Sequence, residues 1–228
     1  QRADERGVSV PDALPSNHAN WTQALLFDAV LRQNSQFQRV FSEEHHDAFV
    51  DDDGTFLICG TDRRNRLGAA LLGLGTHRKI QRKVPAPMAG LLGVRVQSVA
   101  ASCYHVLVLS VDGTAFSWGT GGSGALGHGD TEDVAQPKPI RALRNVSAIA
   151  ASRGVSFSIL SDGTLWSWGN DGSCVSILGH GDMHSLLILL PQQIEALAGK
   201  RICAMASSNG EQGFEHALAA CAGGSCFS

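Results

Sequence analysis

Short apolar runs, each closed by a glycine, recur along most of the chain. His105-Val106-Leu107-Val108-Leu109 leads to Asp112-Gly113 and then to Ala115-Phe116-Ser117-Trp118-Gly119. Phe157-Ser158-Ile159-Leu160 leads to Asp162-Gly163 and Leu165-Trp166-Ser167-Trp168-Gly169, and an earlier copy runs from His46 through Val50 and Asp53-Gly54 to Phe56-Leu57-Ile58-Cys59-Gly60. Runs rich in β-branched and aromatic residues and ended by glycine predict strands. Each Asp-Gly pair predicts a two-residue type I′ hairpin, which needs φ > 0 at both central residues. A further strand is predicted before each hairpin, at Arg39–Ser42, Gln97–Ser102 and Ser147–Ser152. A fourth copy opens with Cys203-Ala204-Met205-Ala206-Ser207-Ser208 and reaches His216-Ala217-Leu218. It then gives way to Ala222-Gly223-Gly224, where the turn and the Trp-Gly strand should stand.

After the Trp-Gly strands come glycine-rich loops, Leu126-Gly127-His128-Gly129-Asp130 and Leu178-Gly179-His180-Gly181-Asp182, with Leu72-Gly73-Leu74-Gly75-Thr76 as the weaker first copy. Connecting loops ending in Pro85, Pro137 and Pro191 follow. Short strands joined by tight turns at this period predict propeller blades, each a small antiparallel sheet that must stack on its neighbours to bury both faces. The fold class is therefore all-β: a partial or open β-propeller of three complete four-stranded blades plus an incomplete fourth. Residues 1–36 are read as an N-terminal extension with a short helical or extended segment, and 37–228 as the repeats.

The two good copies of D-G-T-x-x-S-W-G, the following L-G-H-G-D, the trailing proline and the A-A-S strand with its downstream histidine resemble the regulator of chromosome condensation repeat family, over roughly residues 37–220. The resemblance implies a propeller. It also implies one of two roles known in the family: exchange factor for a small Ran-type GTPase with chromatin binding, or interaction domain inside a larger assembly. This chain holds about half the blades of such a ring. It has five extra residues between Gly60 and Leu72-Gly73 and two extra before Leu178-Gly179. An open ring exposes a blade face and an edge at each end, so contact with other protein subunits that complete or cap the propeller is expected.

Composition narrows the chemistry. Hydrophobic content is 43% and charged content 17%, as in a folded protein, and the net charge of −3 gives no global pull toward nucleic acid or anionic membrane. No unbroken apolar run, Leu186–Leu190 included, is long enough to span a bilayer. The six cysteines form no framework and no C-x-x-C pair, which favours an intracellular, reducing compartment. Cys59 and Cys103 are read as buried free thiols.

His128-Gly129-Asp130 and His180-Gly181-Asp182 recur at blade spacing, so they are read as turn hardware and not as metal ligands. His46 and His105 are read as ties between a strand and a neighbouring turn. No phosphate-loop lysine, G-x-S-x-G or H-E-x-x-H is present, so no catalytic residue, metal or cofactor is assigned. Two departures from the repeat carry the binding expectations. Arg63, Arg64, Arg66, Arg78, Lys79, Arg82 and Lys83 gather in loop 61–84, read as a solvated loop or a contact for RNA, chromatin or another anion. Leu186, Leu187, Ile188, Leu189 and Leu190 replace a polar stretch of the preceding unit (Thr131–Gln136), read as a partner surface or a buried strand. The expected function is a non-enzymatic interaction or scaffold module within a larger complex, with guanine nucleotide exchange on a small Ran-type GTPase as the alternative.

Overall fold

The computed structural model describes residues 40–43, 46–61, 81–102, 104–170, 177–181, 187–207, 217–221 and 226–227. The N-terminal segment 1–36 lies outside them. The described strands form four antiparallel sheets in strict chain order. The first sheet holds β1 (Val40–Glu43), β2 (His46–Val50), β3 (Phe56–Thr61) and β4 (Gln81–Pro87). The second holds β5 (Val96–Ala101), β6 (His105–Ser110), β7 (Ala115–Gly119) and β8 (Val134–Pro139). The third holds β9 (Val146–Ser152), β10 (Val155–Leu160), β11 (Leu165–Gly169) and β12 (Ile188–Gln193). The fourth has three strands, β13 (Ile202–Ser207), β14 (Ala217–Cys221) and β15 (Cys226–Phe227). The open propeller of three four-stranded blades and an incomplete fourth is the observed fold.

Two local expectations are corrected. The Asp-Gly turns are not type I′, since Asn145 is the one described non-glycine residue with positive φ. Gly113 N–H donates to Ser110 O at 3.0 Å and Ser110 N–H to Thr114 O at 3.0 Å, and the turns at Gly54 and Gly163 repeat the pattern. Each is a three-residue loop, a type I turn closed by a left-handed glycine. The aspartate keeps negative φ and uses its carboxylate instead, Asp112 and Asp162 each accepting from the backbone N–H of Thr114 and Thr164.

The second correction concerns the prolines. Pro85, Pro137 and Pro191 do not end loops; they lie within β4, β8 and β12. These are edge strands, hydrogen-bonded on one side, so a proline can face outward without breaking a ladder bond, and it blunts the edge against stray pairing.

The cores lie between sheets, not within them. Val50, Phe56 and Ile58 of the first blade pack with Val99, Val106 and Trp118 of the second. Leu107, Leu109 and Ile140 pack with Val155, Phe157 and Trp168, and Ile159, Leu165 and Ile194 with Ile202 and Ala219. A backbone latch recurs at each boundary. The turn glycine carbonyls of Gly54, Gly113 and Gly163 accept the N–H of Val96, Val146 and Ile202, the first residue of the next blade, at 2.7, 3.0 and 2.9 Å. Stacking thus uses one turn glycine twice, for its positive φ and for its carbonyl.

Candidate interaction surface

The repeated histidines sit where the loops return onto the sheets. Ser117 Oγ–H donates to Leu126 O at 2.7 Å and lies 3.0 Å from His128 Nε2. Ser167 Oγ–H donates to Leu178 O at 2.7 Å and lies 2.9 Å from His180 Nε2. A serine hydroxyl has one proton, already committed to a carbonyl, so in both blades the imidazole Nε2–H is the donor. Burial depresses both histidine pKa values below the usual range, and Lys138 pushes His128 further down. These histidines fasten the glycine loop to the centre of the third strand. Among the described residues no group of three or more His, Cys, Asp or Glu is placed to hold a metal ion.

His105 has a different task. Fully buried on β6, its Nδ1 lies 3.0 Å from Ser102 Oγ and its Nε2 2.8 Å from Ser156 Oγ of the next blade. Ser156 in turn donates to Ala125 O at 2.8 Å, and the same carbonyl accepts the Trp168 indole N–H at 2.8 Å. The expected tie to a neighbouring turn is present at Ser102, and the second ring nitrogen adds a tie to the next blade. His46 occupies the same register step in the first blade, opposite Gly60 as His105 is opposite Gly119.

The apolar run divides. Leu186 lies outside the described residues. Ile188 is buried and begins β12, Leu189 is half-buried, and Leu187 and Leu190 remain 42% and 48% exposed. One side of the run closes on the glycine loop of the second blade. A β-carbon at Gly124 would fall 3.1 Å from both Leu187 Cδ1 and Leu189 Cδ2, one at Gly129 would fall 3.4 Å from Leu190 Cδ2, and Gly129 N–H donates to Leu189 O. The run is a strand that meets the preceding blade along one flank while Leu187 and Leu190 keep another flank open. Of the basic residues, Arg82 and Lys83 stand on β4, with Arg82 opposite Gly60. Arg63, Arg64, Arg66, Arg78 and Lys79 lie outside the described residues. Cys59 is buried, as expected; Cys103 lies outside the described residues.

Two features escaped the sequence reading. One is a cleft of about 480 Å³ at the loop end of the second and third blades, lined by Tyr104, Thr120, Ser123, Arg153 and Asn170 among others. The other is the outer face of the fourth sheet. Ladder register makes Leu107, Phe157 and Leu218 equivalent, through their partners Ala100, Ala150 and Ala206. Leu107 and Phe157 are 0% and 3% exposed beneath the next blade, whereas Leu218 is 53% exposed. The β14 pattern of small apolar residues carries no signal of this, since exposure follows from what stacks outside it.

The model of the regulator of chromosome condensation (RCC1) repeat matches residues 112–160. Among curated proteins, the human E3 ubiquitin-protein ligase HERC2 is 31% identical over 164 residues, covering 71% of this chain and 3% of that protein. Among solved structures, human WBSCR16 superposes with a TM-score of 0.65 at 21% identity, covering 85% of this chain and 47% of that one. Prp20p from Saccharomyces cerevisiae, a structure reported together with its binding to Gsp1p and histones, superposes at 0.62 and 21% identity, covering 74% and 41%. The chain thus spans a small fraction of HERC2 and less than half of these structural neighbours.

Proposed function

The chain belongs to the RCC1 repeat family, and from that premise we propose that it works as a non-enzymatic protein–protein interaction module within a larger assembly. The observation that carries this reading is Leu218, exposed at a position that two preceding blades bury. Its neighbours Ala204 and Ala206 are exposed as well, although the equivalent strand of the second blade is buried at five of its six positions. An apolar sheet face of this kind is covered by protein in the working state. Leu187, just before the edge strand of the third blade, and Leu190, on it, extend the candidate surface.

The mass of the native complex, with identification of the chains that co-purify, tests the proposal. A defined stoichiometric assembly, weakened by Leu218→Ser without loss of the chain's own folding transition, supports it. A monodisperse monomer at high concentration that acquires no partner overturns it.

A second reading, nucleotide exchange on a small Ran-type GTPase with contact to chromatin or RNA through residues 61–84, is favoured by the likeness to Prp20p, whose reported partners are Gsp1p and histones. It needs no catalytic base, since exchange follows from tighter binding of the nucleotide-free GTPase. Accelerated nucleotide release from a purified GTPase is its signature. For the nucleic-acid part, loss of binding on changing Arg78, Lys79, Arg82 and Lys83 to alanine is the corresponding test. No helix of the described residues is long and apolar enough to cross a membrane.

A further inference from the structure

Equivalent residues of the second and third blades meet at the cleft on their loop end. His105 faces Gly119 as Val155 faces Gly169, so Tyr104 matches Gly154 and Thr120 matches Asn170. Each pair is pinned by one backbone bond, Thr120 N–H to Tyr104 O at 2.8 Å and Asn170 N–H to Gly154 O at 2.9 Å. All four line the cleft, so its walls are set by the sheets that carry them.

The third blade has no side chain at the step where the second carries Tyr104. A β-carbon at Gly154 would run into Asn170 O and fall 3.3 Å from Ser123 Cβ. The glycine thus lets the Ser123 loop of the second blade close against the third. The space left between them is about 480 Å³.

Its lining favours negative charge. Arg153, exposed, is the one charged side chain among the described lining residues, and Tyr104, Thr120 and Ser123 bring hydroxyls. Asp133 of the same loop is turned instead to Gly121 N–H, at 2.9 Å. Thr120 Oγ1 is buried without a hydrogen-bond partner, a rare state for a buried polar atom. Its methyl is what faces the lining at Gly122, with Cγ2 4.0 Å from the place of a β-carbon there. One rotamer step about χ1 puts the hydroxyl where the methyl now stands.

We propose that this cleft takes the side-chain carboxylate of an aspartate or glutamate on a loop of a partner protein, held by Arg153 and Thr120. The inference rests on the interaction-module reading and deepens it by naming the chemistry of one contact. A guanidinium carries five N–H donors in a planar fork, so Arg153 can meet both carboxylate oxygens while keeping other contacts. Thr120 adds a hydroxyl donor that has no acceptor in the empty cleft. One lining cation balances one carboxylate. A phosphate dianion would be left with excess charge, and a nucleic-acid strand calls for a series of cations. Tyrosine and arginine, side by side at this rim, are residue types that carry binding energy at protein interfaces.

The probe is N-acetyl-glutamic acid α-amide, whose one charge is the side-chain carboxylate, titrated at constant ionic strength into the isotope-labelled 228-residue chain. Amide shifts of Gly122, Ser123 and Gly154 are expected to report a Kd of roughly 1–10 mM, the range for a ligand of so few atoms. N-acetyl-glutamine α-amide, the same shape without the charge, is expected to leave them in place, and inorganic phosphate to bind more weakly than the glutamate probe. Arg153→Gln is expected to weaken glutamate binding about tenfold or more. Thr120→Val is expected to weaken it about threefold while the Tm holds or rises, because the variant removes an unpaired buried hydroxyl. In the native complex, Arg153→Glu is expected to weaken assembly about tenfold or more without moving the folding transition. Equal shifts with the glutamine amide, tighter binding of phosphate, or a Kd unchanged by Arg153→Gln or by Thr120→Val overturns the proposal. So does an assembly undiminished by Arg153→Glu. Failure of the glutamate probe beside a defined native complex removes the cleft contact and leaves the interaction module. A chain that binds the probe but has no native partner removes the module, and with it the partner's carboxylate.

Discussion

His105 Nε2 and Ser156 Oγ stand 2.8 Å apart and join the second blade to the third through a fully buried side-chain bond. Ser156 Oγ–H is committed to Ala125 O, so His105 Nε2–H donates and Nδ1 accepts from Ser102 Oγ–H. This is a neutral imidazole with both nitrogens satisfied. A second ring proton would meet the hydroxyl proton that Ser102 already directs at it.

A pH dependence follows. Burial lowers the His105 pKa from 6.5 to about 4. Between those values the unfolded chain binds more protons than the folded one, so stability falls as the pH drops from 6.5 to 4 and is level outside that window. The size is about 3 kcal/mol, at 1.36 kcal/mol per pH unit. His128 and His180, also depressed by burial, act in the same direction. His105→Val installs the residue that the third blade carries at this step, since Val155 faces Gly169 as His105 faces Gly119. The variant should lose about 1–2 kcal/mol at pH 7, leaving Ser102 and Ser156 short of one partner each. It should equal or exceed the parent near pH 4. Urea unfolding at the two pH values measures both.

Trp168 and Ser156 share one acceptor, the Ala125 carbonyl, so their substitutions should not add. Trp168→Phe keeps most of the ring and gives up one N–H donor, at about 1–2 kcal/mol; Ser156→Ala costs about 1 kcal/mol. Either donor still satisfies the buried carbonyl when the other is gone. The double variant leaves that carbonyl bare and should cost at least 0.5–1 kcal/mol more than the sum of the singles. An additive cycle in urea unfolding would show that the shared carbonyl is not what couples the blades.

Repetition made the blade count, the strand order and the incomplete fourth sheet legible, because three copies of one apolar pattern cannot each bury two faces alone. The prolines were misread for a local reason. Proline argues against a central strand, and only sheet order shows that β4, β8 and β12 are edges. The Asp-Gly pairs specify a glycine in the left-handed region but not the loop length, which depends on whether Ser110 pairs with Thr114 or closer in. His105 looked like a tie to a turn, which Ser102 makes it, but its second partner, Ser156, lies in another blade, beyond the reach of any local spacing. The exposure of Leu218 and the cleft between Tyr104 and Asn170 arise from stacking, for which a single repeat carries no mark. The loop 61–80 and the segment 1–36 lie almost wholly outside the described residues.

Glycines of the LGHGD loops should differ sharply under the same substitution. Gly127 and Gly181 both have positive φ, 72° and 87°, so alanine strains the backbone at each by about 1–2 kcal/mol. At Gly181 none of the described residues lies within 4 Å of the new β-carbon, whereas at Gly127 it would press to 2.8 Å from Trp168 Nε1. Gly127→Ala should therefore cost about 3 kcal/mol or more and disturb Trp168 fluorescence, while Gly181→Ala costs only the backbone part. Equal losses in denaturant melts would mean that the indole yields freely and does not depend on that glycine.

Leu187 and Leu190 separate packing from partner contact. Each touches the second-blade loop on one flank, at Gly124 and Gly129, and leaves about half of its surface to solvent. Because so much of each side chain is already wet, Leu190→Ser should cost only about 1 kcal/mol in the isolated chain, well below the 2–5 kcal/mol of a fully buried leucine truncation. Leu189→Ser, half-buried against Gly124, should cost more. If the strand edge is also a partner surface, Leu187→Ser with Leu190→Ser should weaken the native assembly tenfold or more while the folding transition moves by only a few degrees. Sedimentation of the assembly beside a thermal melt of the chain reads the two effects separately. A melt that collapses with the assembly assigns both leucines to blade packing; an assembly unchanged by the pair leaves the partner surface to the fourth sheet.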